Sequence, residues 1–190
     1  MVGPSLLCID NKRWSDIPYN STESDSLLVW MQLYHGSNVV ARTPDVSHSR
    51  KGLDFGSGFY TTTNLEQAVR FSKKVAMKRD GHPIVSIYDF DDTSLADLKV
   101  KVFDGPDREW LDFVIANRRG KWAGPVYDMV IGPVANDDVY GTISLFESGF
   151  YSEEEALDHL KMKKLFNQYV FVSEKAVRRI VFRGVVADGE

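Results

Sequence analysis

The stretch that decides the fold is Leu33-Tyr34-His35-Gly36-Ser37, read together with Asp54-Phe55-Gly56-Ser57-Gly58-Phe59-Tyr60-Thr61-Thr62-Thr63 further along. The first reads as a short apolar strand ending in a polar pair, with a glycine where the main chain must come close to something. The second carries two glycines two apart between aromatics and runs into a threonine-rich strand. Glycine lacks a Cβ and tolerates positive φ, so Gly56 and Gly58 suit a bent strand whose backbone lies against a flat ligand. Tyr60 would then offer its ring to that ligand.

Working outward, residues 1–28 lack periodicity and are rich in Ser, Asn, Asp and Pro. They read as a loosely ordered arm with a short extra strand at 6–9, and 29–190 as the domain. A strand is predicted over 27–34, followed by a long loop to Asp54 that carries Arg50-Lys51. Asn64 and Gln67 form a capping-box pattern. The helix they open would put Ala68, Phe71 and Val75 on one face, with Lys73, Lys74, Lys78 and Arg79 late in it. Strands are expected at 84–90, 99–103 and 127–131, a helix at 107–118, and a further strand at 142–146. Ser152 to Glu155 caps a helix running to about residue 165. A strand at 168–172, a helical turn at 173–179 and a last strand near 180–182 complete an α+β chain.

Composition narrows the function classes. Length and apolar content suit one domain with an ample core. The net charge of −4 argues against nucleic acid as a partner, a local basic patch remaining open. One cysteine, Cys8, leaves no intrachain disulfide and no cysteine-rich zinc site, and His48, His82 and His159 are too scattered for a metal. No signal-peptide pattern or bilayer-spanning apolar run is present, so a cytoplasmic protein is expected, with export by a route lacking a cleavable signal left open.

Three separated segments carry a resemblance. Tyr34-His35-Gly36-Ser37 resembles the histidine-bearing strand of the diphtheria-toxin and poly(ADP-ribose) polymerase branch of the ADP-ribosyltransferases. Phe55-Gly56-Ser57-Gly58-Phe59-Tyr60 is similar to that branch's glycine-rich "FGKGIY" segment, and Asn167-Gln168-Tyr169-Val170-Phe171-Val172 to its C-terminal "NEYIVYD" strand. Over about Met31 to Phe182 the chain also resembles an uncharacterised bacterial family, known as a domain of unknown function and suspected to hold toxins of toxin–antitoxin pairs. The sequence departs from the branch at Gln168, where glutamate is usual, at Phe71, where a second tyrosine is usual, and at Ala68, where polymerases place a serine.

The resemblance implies a split β-sheet with flanking helices, NAD+ as substrate and no metal. In that reading His35, Tyr60 and Gln168 are the catalytic set. His35 would donate to a ribose hydroxyl, Gly36 would meet the nicotinamide amide through its main chain, and Tyr60 and Phe71 would sandwich the cationic ring. Arg50 is a candidate for the pyrophosphate, and Ser37, Gly58 and Thr61 for the remaining contacts, although strand hydroxyls explain Ser37 and Thr61 as well. Gln168 offers a dipole where a carboxylate would offer a charge, which disfavours polymer extension and leaves mono-ADP-ribosylation of a macromolecule, chiefly a protein. Asp54 and Asp137 are candidate substitutes for the missing charge. A cognate antitoxin is a further implied partner. The competing readings are a weak or inactive NAD+ or ADP-ribose binding module, and a protein interaction module. Trp110, Phe113, Asn117 and Arg118 lie on about one helical face, where core packing explains the aromatics and Asn117 and Arg118 have no evident reason.

Overall fold

The computed structural model describes residues 30–187 other than 48, 135, 136 and 164, and their side chains apart from 92, 94, 137, 138 and 187. The arm expected over 1–28, its strand at 6–9 and the expected start of the first strand at 27 lie outside the described residues. The elements run β1 (Trp30–Ser37), β2 (Phe59–Thr62), α1 (Leu65–Arg79), β3 (Ile84–Asp91), β4 (Val100–Val102), α2 (Arg108–Arg118), β5 (Met129–Pro133), α3 (Asp137–Glu147), α4 (Glu153–Lys161), β6 (Asn167–Phe171), α5 (Glu174–Val177) and β7 (Ile180–Ala187). A 3-10 turn at Asp92–Leu95 follows β3. The class is α+β, built on one sheet in the order β4-β5-β6-β2-β1-β3-β7. Its pairings are antiparallel except β4 with β5, which are parallel and joined through α2.

Alternation along the strands sorts side chains onto two faces. Leu33, Phe59, Met129 and Phe171 go to one face, where they meet Tyr88, Phe90 and the short α5 through Ala176 and Val177. Val130 and Val170, the neighbours of Met129 and Phe171, go to the other and meet Trp110, Leu111 and Val114 of α2, Val139 and Ile143 of α3, and Leu160 of α4. Each fully buried large side chain here stabilises the fold by about 1.5–3 kcal/mol.

Local chemistry explains the helices. Asn64 accepts the Gln67 amide at 2.7 Å and so caps α1. The second half of the expected capping box takes another form: Gln67 Oε1 accepts from the Thr62 hydroxyl, which itself accepts the Asn64 amide. At α4 both halves are present, Ser152 and Glu155 bonding each other's main chain. The inward face of α1 is Ala68, Ser72 and Ala76, at spacing i, i+4, i+8. Phe71 is 54% exposed, a correction to the expected face. Small residues win because α1 lies against β1 almost backbone to backbone. A Cβ on Gly36 would run into the Ala68 carbonyl oxygen and sit 3.0 Å from the Ser72 nitrogen.

The strand expected at 142–146 is helical, as part of α3. In a five-residue window Ile143, Leu145 and Phe146 read as a strand. Over the whole element Val139 and Ile143 fall one helical turn apart and reach the core together.

Candidate functional site

β1 and β2, which carry His35 and Tyr60, form the middle of the sheet, and the sheet is weakest there. β1 is registered with β3 along its full length, Trp30 against Asp91 through to Ser37 against Ile84. Against β2 it has a single register pair, Tyr34 with Thr62. Beyond it His35-Gly36-Ser37 and Phe59-Tyr60-Thr61 run side by side as a seam. One side chain spans that seam: His35 Nδ1 lies 2.7 Å from the Tyr60 carbonyl oxygen.

A carbonyl can only accept, so Nδ1 carries the proton. Burial lowers the His35 pKa, partly opposed by this hydrogen bond, which raises it. The ring is therefore neutral at neutral pH, and Nε2 is an acceptor. A ribose hydroxyl meeting Nε2 would donate to the imidazole, the reverse of the direction expected from sequence. The imidazole is also stacked on Phe59, with centroids 4.4 Å apart and planes at 27°. Two contacts thus fix its orientation.

Tyr60 projects from the opposite face, packed against the α2–α4 side of the core. Its hydroxyl donates to the Gly56 carbonyl at 2.6 Å and receives the Phe55 amide at 3.1 Å. Burial first of all raises the phenol pKa, with the Phe55 amide pulling it down and the charges of Asp54 and Arg118 acting in opposite senses. The hydroxyl is committed to the glycine-rich segment, so the ring faces are what Tyr60 has to offer. That segment folds on itself: Gly56 has φ +80°, and a Cβ there would come 2.8 Å from Asn117 Oδ1. A Cβ on Gly58 would come 2.8 Å from the Phe171 carbonyl and Val170 Cγ1. Both Gly58 and Gly36 are thus explained by neighbouring chain.

Gln168 sits on β6, opposite Thr62 of β2 on one side and Gly132 of β5 on the other. It shares the face of Thr62, and through the alternation of β2 that of Tyr60. Its Oε1 is buried and has no hydrogen-bond partner. Leaving a buried acceptor unmet costs about 1–3 kcal/mol, so such an atom calls for an explanation.

The other expected contacts fall as follows. Thr61 donates its hydroxyl to the Tyr169 carbonyl at 2.8 Å, and Ser37 is buried in β1. Arg50 is exposed beside the glycine segment, its carbonyl accepting from Ser57. Phe71 stands open on α1. Asp54 is ion-paired with Arg118 at 2.6 Å, both side chains largely buried, so its charge is already matched. The side chain of Asp137 lies outside the described residues.

The Asp54–Arg118 pair is the feature that sequence reading missed. Arg118 also lies over the Tyr140 ring, 4.9 Å from its centroid, and its Nη1 is buried without a partner. No local signal marks Asp54 and Arg118 as partners, since they stand 64 positions apart. Among the described residues no group of three or more His, Cys, Asp or Glu is placed to hold a metal ion, and no helix is long and apolar enough to cross a membrane.

No curated protein and no solved structure matches the chain. A family model described as a protein of unknown function (DUF3990) matches residues 31–182, from the start of β1 into β7 and so across the seam, its glycine-rich segment and the strand of Gln168, and the chain belongs to that family.

Proposed function

We propose that the protein is an NAD+-dependent mono-ADP-ribosyltransferase, moving ADP-ribose from NAD+ to a macromolecular acceptor, chiefly protein, and releasing nicotinamide. The observation that carries this reading is the meeting of three segments distant in sequence on neighbouring strands, with His35 held across the β1–β2 seam by the Tyr60 carbonyl. A flat ring entering the seam would be met from both faces of the sheet, by His35 on one and by Tyr60 and Gln168 on the other.

The glycosidic bond would break with its electron pair leaving on nicotinamide, and the sugar carbon would become oxocarbenium-like before the acceptor attacks it. Each residue has a part it can play. His35 Nε2 would take a proton-sharing bond from a ribose hydroxyl and fix the sugar. The unmet Gln168 Oε1 would accept from another hydroxyl and turn a dipole toward the developing charge. The exposed Phe71 would add a π-face for the cationic ring, an interaction of about 0.5–2 kcal/mol. Delivery as a toxin restrained by an antitoxin fits the same reading, and a cytoplasmic site of action goes with it.

The test is incubation of the pure protein with radiolabelled NAD+ and a cell lysate. Label transfer with free nicotinamide is expected, falling more than about tenfold in His35→Ala. An absence of both products would reject the reading. The amide at Gln168 favours one alternative, a module that binds NAD+ or ADP-ribose without turnover. That alternative predicts calorimetric binding of NAD+ with no nicotinamide, and hydrolysis gained in Gln168→Glu.

A further inference from the structure

Two basic segments that the sequence keeps apart become one surface beside the seam. Gly52 (φ +73°) lies so close to the end of α2 that a Cβ would come 3.3 Å from the Arg118 carbonyl. Asp54 then pairs with Arg118. These contacts bring Arg50-Lys51 next to Arg118-Arg119 and Lys121. Arg50, Lys51, Arg119 and Lys121 are all exposed. The described carboxylates in contact with this group, Asp54 and Glu147, are each in an ion pair, with Arg118 and with Arg119 at 2.7 Å. Arg50 and Lys51 have no ion-pair partner among the described residues. Two aromatic rings border the cations: Tyr140, 57% exposed beneath Arg118, and Trp122, 38% exposed and seated edge-on against Phe113.

We propose that this collar of cations and open rings binds single-stranded nucleic acid, which makes a nucleic acid an acceptor or guide for the transfer at the seam. Two features favour this occupant. With Arg118 and Arg119 matched by carboxylates, Arg50, Lys51 and Lys121 still exceed the two charges of one dinucleotide pyrophosphate. Rings standing among cations let bases stack while the phosphates are neutralised, which an acidic protein would not exploit. The net charge of −4 is an average over the chain and does not describe this face. The link to transfer rests on the reading above; the binding surface does not.

The experiment is fluorescence anisotropy of a labelled single strand of about 15 nucleotides, DNA in one arm and RNA in another, without NAD+. The expected result is binding that weakens about 20-fold between roughly 50 and 200 mM salt, as three phosphate contacts require. Arg50→Ala/Lys51→Ala should weaken it more than about tenfold, whereas Lys78→Ala/Arg79→Ala at the end of α1 should change it less than about twofold. Tyr140→Ala should weaken it about tenfold through lost stacking. No binding in either arm, equal binding of duplex, equal competition by polyglutamate, or indifference to the Arg50/Lys51 variant would each overturn the proposal. Because NAD+ is left out, failure of transfer chemistry cannot be mistaken for failure of the collar: an oligonucleotide that binds and is never labelled counts against transfer alone.

Discussion

At the scale of single residues, Gly36 and His35 do different work on adjoining positions. Gly36 was legible as a place of close approach, but the neighbour is helix α1 and its backbone, which sequence could not name. Gly36→Ala must push that backbone aside, and overpacking of this kind costs about 1–3 kcal/mol. Urea denaturation should show a loss toward the upper end of that range. His35 was legible as a special histidine, whereas its tautomer was not, because that depends on a carbonyl 25 positions away. Its folded pKa lies below the ordinary histidine value of 6.5, so near and below that pH the unfolded chain binds a proton that the folded chain refuses. The stability it confers is complete above about 6.5 and is lost as pH falls through the window below it. Melting measured from pH 7.5 down to 5 should show a slope that flattens in His35→Asn, whose amide can still donate to the Tyr60 carbonyl.

At the scale of elements, most of the chain was readable because its signals are local. Asn64, Asp107 and Ser152 begin their helices by accepting first-turn amides, as their side chains suggest. The exceptions have one cause, which is that distant packing outweighs a short window. α3 was mistaken for a strand on five residues, and the inward face of α1 was set by the need to lie flat on Gly36. The glycine-rich segment belongs here too, since its shape is held from outside by Arg118. Asp54→Ala leaves a mostly buried guanidinium without its carboxylate. A destabilisation of about 2 kcal/mol is expected, below the 3–5 kcal/mol of a fully buried pair because both groups keep some solvent contact. Chemical denaturation measures it, and a limited-proteolysis cut within residues 50–58 should appear alongside.

At the scale of the whole molecule, the sheet is two blocks meeting at one register pair: β4-β5-β6-β2 on one side and β1-β3-β7 on the other. Adjoining ladders are long where the seam is short, so the blocks should open in separate steps. Native-state hydrogen exchange with rising urea is expected to give one opening energy for β1, β3 and β7 and another for β5 and β6. A single shared value would show that the helices weld the blocks together. A split sheet was expected from the resemblance, but neither the place of this division nor the strands on each side of it could be read in advance, because strand order reflects contacts between segments far apart. One result of that order concerns timing. β6 completes the first block and β7 the outer border of the second, and both come from residues 167–187. A nascent chain made only as far as residue 166 holds His35 and Tyr60 but neither strand that closes its block. The ribosome must therefore finish almost the entire described domain before the strands bearing His35, Tyr60 and Gln168 can stand side by side in one sheet.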